Sequence, residues 1–174
     1  MTETLTNAVP DRVDRAVDRL LTAACAKELM LVTAESCTGG LFASMLTDVS
    51  GQAHAFERGF VTYTNDAKAE MLGVDRAILD HPGPVSEPVA RAMAEGALNK
   101  SRGDLALSIT GFAGPAGPDD EPGLVHFAVA RRDGPTLHRC EHFASEERGV
   151  VRLRCLETGL EMLQSALERL HRGL

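Results

Sequence analysis

The sequence predicts an α/β protein: a three-layer α/β/α sandwich on a mixed, mostly parallel sheet of about five strands. Two observations carry this. Apolar strand-like runs alternate with amphipathic helical stretches through the first hundred residues, an order that demands parallel pairing through crossover helices. Later, two strand-like runs flank Asp133-Gly134, a hairpin signal that adds antiparallel members.

Each element follows from local pattern. From Asp11, the residues Val13, Ala16, Val17, Leu20, Leu21 and Ala24 recur at helical spacing. Residues 29–33 read as a buried strand, and a helix runs from after Gly40 to about Asp48. Residues 56–63 form a second strand, in which Gly59 marks a bulge or a close backbone approach. Asn65 is placed as the N-cap of a helix over 66–72, which Gly73 stops. After a loop over 81–84, Ser86 caps a helix reaching Asn99, with Glu87 and Pro88 in its first turn. A third strand covers 104–110. Residues 111–122 hold Gly and Pro clusters and read as a long loop, hence a functional suspect. Strands over 123–131 and 136–143 close the sheet, and Ser145 caps a long final helix. Residues 1–10 read as a flexible tail and 11–174 as one domain.

Composition narrows the function. At 174 residues with 44% hydrophobic side chains, the chain can bury a sizeable core. A net charge of −7, no Trp and a single Tyr argue against nucleic acid and against an anionic membrane surface as partners. The N-terminus lacks the apolar stretch of a signal peptide, and no apolar run has membrane-spanning length. Cys25, Cys37, Cys140 and Cys155 show neither a CxxC pair nor zinc-ligand spacing, so free thiols in a reducing cytoplasm are expected. No metal-ligand cluster is visible and no cofactor is implied. Small α/β enzymes of this kind are commonly homo-oligomers.

Three polar segments follow three strands: Glu35-Ser36-Cys37-Thr38-Gly39-Gly40, Tyr63-Thr64-Asn65-Asp66-Ala67-Lys68 and Thr110-Gly111-Phe112-Ala113-Gly114-Pro115. If the strands are parallel, their carboxyl ends share one edge, where open α/β sheets bind ligands. Ser36 needs a base to become a nucleophile, and no His lies in these segments. Lys68 fits better, because a helix first turn and burial both favour its neutral amine. Tyr63 is near enough in sequence to share or relay the proton. The expected unit is Ser36, Tyr63 and Lys68, with backbone N–H groups near Thr38 and Gly39 as oxyanion donors. The plainer readings are a Ser that merely caps a helix, a solvated Lys and a Tyr without special function. Cys37 is an alternative nucleophile, but no sequence-adjacent base would form its thiolate, so a buried thiol is the expectation.

These stretches, with Arg58 to Lys68, Val85-Ser86-Glu87, Ile109 to Pro115 and the region of Arg148 and Arg152, closely resemble the CinA C-terminal-domain family in its stand-alone form, the nicotinamide-nucleotide amidases. The resemblance implies hydrolysis of the carboxamide of nicotinamide mononucleotide to nicotinic acid mononucleotide and ammonia. It maps the family's serine, tyrosine and lysine onto Ser36, Tyr63 and Lys68. Cys37, Thr38, Gly39, Gly40, Asn65, Thr110 and Gly111 are the expected oxyanion and substrate-binding residues. Departures are Gly117-Pro118, Leu124 in place of a hydroxyl, and Asp66 where Glu is common. The longer relatives' extra N-terminal domain is expected to be missing. The competing reading is a non-catalytic module that binds a nucleotide or a protein, of the competence- and damage-inducible type.

Overall fold

The computed structural model describes residues 9–114, 121–144 and 147–170. Helix α1 (Asp11–Ala26) leads into β1 (Leu31–Glu35), α2 (Leu41–Thr47), a short 3-10 turn (Ala53–Ala55) and β2 (Phe56–Val61). Then follow α3 (Asn65–Leu72), α4 (Arg76–Asp80), α5 (Glu87–Asn99), β3 (Leu105–Gly111), β4 (Leu124–Arg131), β5 (Leu137–His142) and α6 (Arg148–Arg169). The five strands form one sheet in the order β2-β1-β3-β4-β5. Strand β1 runs parallel to both β2 and β3, while β3-β4 and β4-β5 are antiparallel. The mixed sheet matches the expected fold class.

Alternation along the strands divides the core. Leu31, Leu105, Leu107, Ile109, Val125, Phe127 and Val129 face the layer of α1, α2 and α6. Val32, Ala34, Ala106, Ala128 and Ala130 face the opposite layer, with Leu72, Leu79 and the α5 residues Val89, Ala90, Met93 and Ala94. Small residues on the second face let α5 lie close to the sheet. Gly96 extends this closeness to α3, since a Cβ there would stand 2.1 Å from the Leu72 carbonyl oxygen. The end of α3 therefore rests on α5, which fixes the helix that carries Lys68.

Several boundaries differ from expectation for identifiable reasons. Strand β1 starts at Leu31, because Leu29 N–H closes the end of α1 on the Ala24 carbonyl and Met30 N–H donates to Asp104 Oδ2. Thr64, not Asn65, caps α3: its Oγ1 accepts from Ala67 N–H at 3.1 Å, and Asn65 is already helical. Ser86 precedes α5, but its hydroxyl donates to the Gly83 carbonyl instead of capping the helix. The short α4 was unanticipated, although Asp75, which accepts from Ala77 N–H, is an ordinary N-cap signal. Gly59 does make a close approach, since a Cβ there would lie 2.8 Å from Thr33 Oγ1. A register shift in the β1-β2 pairing lies just before it. The cap expected at Ser145 and half of the 111–122 loop, residues 115–120 with Pro115, Gly117 and Pro118, lie outside the described residues.

Candidate active site

Parallel pairing brings the ends of three strands level. Glu35 is paired with Val61 of β2 and Ile109 of β3, and the ladder continues one step as Thr62 N–H donates to the Glu35 carbonyl and Ser36 N–H to the Ile109 carbonyl. Beyond this edge the alternation of β1 sends successive side chains apart. Glu35 turns toward the start of α2, Ser36 toward α3, and Cys37 back into the core beside α6.

Ser36 and Lys68 meet. Lys68 is 1% exposed, and its Nζ lies 3.1 Å from Ser36 Oγ. The same nitrogen donates to the carbonyls of Thr62 at 2.9 Å and Tyr63 at 3.2 Å. Burial, with no carboxylate partner among the described residues, pulls the Lys68 amine down to about 8, against an opposing effect from Cys37. A neutral amine has two N–H groups and one lone pair. Two carbonyls take the hydrogens, which leaves the lone pair for the Ser36 hydroxyl. Such a pair can strip a proton from Ser36 near neutral pH.

Tyr63 enters through its main chain. Its carbonyl holds Lys68, but its side chain is 69% exposed and the phenol makes no hydrogen bond among the described residues. Asn65 is exposed at the start of α3. Thr110 is buried, with its hydroxyl donating to the Pro84 carbonyl at 2.8 Å, and Gly111 ends β3 where a Cβ would meet the Leu124 carbonyl oxygen at 2.6 Å.

The turn from Ser36 to Gly40 is more committed than the sequence indicates. Gly39 N–H donates to the Ser36 carbonyl and Gly40 N–H to Glu35 Oε2, so neither is available to an oxyanion. Their φ values of 61° and 89° explain the paired glycines instead. The N–H groups of Cys37 and Thr38 make no hydrogen bond to another residue among the described residues. Glu35, wholly buried, accepts from Gly40, Phe42 and Ala43 N–H at 3.1, 3.0 and 2.8 Å. Its role was missed, although an acid directly before Ser36 and a glycine-led helix start was the available signal.

Cys37 is buried in the core and hydrogen-bonded to Cys155; that bond and burial push the Cys155 thiol up, and the bond draws Cys37 down. On the α6 side, Arg152 donates through Nη2 to the Thr38 carbonyl at 2.6 Å, and Arg148 lies against Gly114. One turn of α6 thus touches the segments after both β1 and β3. The buried hydroxyls of Thr38 and Thr62 and the Nε of Arg152 have no hydrogen-bond partner among the described residues. Unpartnered polar atoms clustered at one edge are a common mark of a ligand site.

Fold and site together define a class: α/β/α proteins with a buried serine–lysine pair at the carboxyl edge of a mixed sheet. Residues 13–167 match the CinA C-terminal domain, and the chain belongs to that family. It is 47% identical over 140 residues to the nicotinamide-nucleotide amidohydrolase PncC of Escherichia coli K12, a match covering 79% of this chain and 84% of that protein. A CinA-like protein of Geobacter sulfurreducens is 46% identical over 89% of this chain, but only 37% of that longer protein is covered. The chain likewise spans 28% of a relative from Symbiobacterium thermophilum named for competence-damage induction. Among solved structures, the competence/damage inducible protein CihA from Agrobacterium tumefaciens superposes with a TM-score of 0.88 at 44% identity, covering 92% of this chain and 98% of that one. No helix among the described residues is long and apolar enough to cross a membrane.

Proposed function

We propose that this protein hydrolyses the carboxamide of nicotinamide mononucleotide, releasing nicotinic acid mononucleotide and ammonia, through a covalent ester on Ser36. The observation that carries the reading is the 3.1 Å approach of Lys68 Nζ to Ser36 Oγ in a buried setting that favours the free amine. The name of the Escherichia coli relative, a nicotinamide-nucleotide amidohydrolase, supports a nicotinamide nucleotide as the substrate class.

Ser36 Oγ attacks the amide carbon while its proton passes to Lys68 Nζ. The negative oxygen of the tetrahedral intermediate is met by the N–H groups of Cys37 and Thr38. Lys68 then returns the proton to the leaving nitrogen, and ammonia departs. A water molecule, deprotonated by the same amine, attacks the ester, and Ser36 recovers its hydrogen as the acid leaves. Tyr63 serves this cycle through its carbonyl, which holds one hydrogen of the Lys68 amine. The unpartnered hydroxyls of Thr38 and Thr62 suit the polar groups of a nucleotide, which enters along the edge marked by Asn65, Thr110 and Gly111.

A purely binding module would gain nothing from burying an amine against a serine hydroxyl at such a cost in solvation. The test is ammonia release from nicotinamide mononucleotide by the purified protein. Wild type is expected to turn over, and Ser36→Ala and Lys68→Ala to lose activity by about a thousandfold or more. A folded wild-type protein that releases no ammonia from any pyridine nucleotide would favour the binding module.

A further inference from the structure

Among the described residues, Glu35 is the one buried acid at the site that the hydrolysis leaves unused. Its carboxylate is wholly inaccessible, and among the described residues its oxygens meet only the N–H groups of Gly40, Phe42 and Ala43. Removing a carboxylate from water is costly. A helix start can be satisfied far more cheaply by a hydroxyl or a short acid at the cap position itself, yet glycine occupies that position here.

What the long reach from Glu35 accomplishes is visible in its two attachments. Its main chain belongs to β1, level with Val61 and Ile109, and its carbonyl accepts from Thr62 N–H. Its side chain grips the first turn of α2. The four residues between, Ser36 to Gly39, are thereby strung across two anchor points of a single residue. Ser36 Oγ hangs from one end of this span, at 3.1 Å from Lys68 Nζ. Occupying the Gly40, Phe42 and Ala43 donors also removes them as competing anion sites. The N–H groups of Cys37 and Thr38, which bond to no other residue among the described ones, remain.

The geometry points to Glu35 as a positioning residue for the hydrolysis: its carboxylate locks the Ser36–Gly39 turn so that the serine oxygen meets Lys68 and two backbone donors stay free for the oxyanion. The inference rests on the proposed amide hydrolysis. It adds that the alignment of the nucleophile, and not merely the helix, depends on the acid.

The test is Glu35→Gln, equal in size but with an NH2 group facing N–H donors, so that at least one of the three bonds is lost. Three quantities are measured together: steady-state ammonia release from nicotinamide mononucleotide, the thermal midpoint, and the rate at which a fluorophosphonate labels Ser36. The expected result is a cooperatively folded variant whose kcat falls about 30- to 100-fold with KM changed less than about twofold. Labelling should slow by a similar factor, and the pH midpoint set by Lys68 should stay in place. A variant that keeps kcat and labelling within about threefold of wild type overturns the inference. So does a loss that only tracks the unfolded fraction. If Glu35→Gln fails to fold, Glu35→Asp, which keeps the charge but is one methylene short, is judged by the same criteria. If wild type is labelled at Ser36 but does not turn over the nucleotide, the substrate reading has failed, and the labelling rates alone decide the role of Glu35.

Discussion

Lys68 Nζ and Ser36 Oγ, 32 residues apart in sequence, stand 3.1 Å apart in the fold. Two carbonyls, of Thr62 and Tyr63, share the same nitrogen. Among the described residues the amine is therefore held by these two carbonyls and the Ser36 hydroxyl, with no carboxylate to keep it charged, and burial lowers it to about 8. A general base works best when its free form is present near the operating pH.

The rate should follow that ionisation. The slope of log kcat/KM against pH should be one below about 8 and level off above it, since only the free amine can accept the serine proton. Lys68→Arg keeps the charge but cannot lose its proton, and should fall by about a thousandfold or more at every pH. A profile flat from pH 6 to 9, or an active arginine variant, would remove Lys68 as the base.

Stability carries the same signature with a defined sign. The folded amine sits near 8 and the ordinary value is 10.5, so between these limits the unfolded chain binds more protons. Wild-type stability should therefore rise with pH from about 8 to about 10.5 by at most about 1.4 kcal/mol per unit. Lys68→Met lacks the group and supplies the baseline. Urea unfolding of both proteins across this range should show the difference growing in favour of wild type and constant below pH 8; a parallel pair of curves would show that the amine is not perturbed.

Cys37 should be dispensable for chemistry. Its thiol is paired with Cys155 in the core, and the contribution proposed for it is a backbone N–H that alanine retains. Cys37→Ala should keep kcat/KM within about threefold and lose about 1 kcal/mol of stability. A hundredfold loss of activity in a folded variant would point to the thiol as nucleophile.

Much of this was legible in the sequence, because the informative features are local. Apolar periodicity gave the strands and helices, and the polar residues following three strands share one edge once β1, β2 and β3 are parallel. Ser36 and Lys68 were readable on that basis. Side-chain direction was not. Tyr63 follows β2, and whether its phenol points at the serine or into water depends on how β2 ends; the structure turns it outward. The sequence places oxyanion donors near Thr38 and Gly39 because helix starts usually have free N–H groups, but Gly39 N–H is taken by the Ser36 carbonyl and Gly40 N–H by Glu35. The grip of Arg152 on Thr38 joins residues 114 apart, a contact that no local pattern encodes.

The most direct test of the covalent route is intact-protein mass spectrometry of wild type mixed with nicotinamide mononucleotide and quenched in acid within milliseconds, followed by peptide mapping. The account requires a transient adduct with the mass of the nicotinate mononucleotide ester, located on Ser36 and missing from Ser36→Ala. An adduct on Cys37, or ammonia release undiminished in Ser36→Ala, would contradict it.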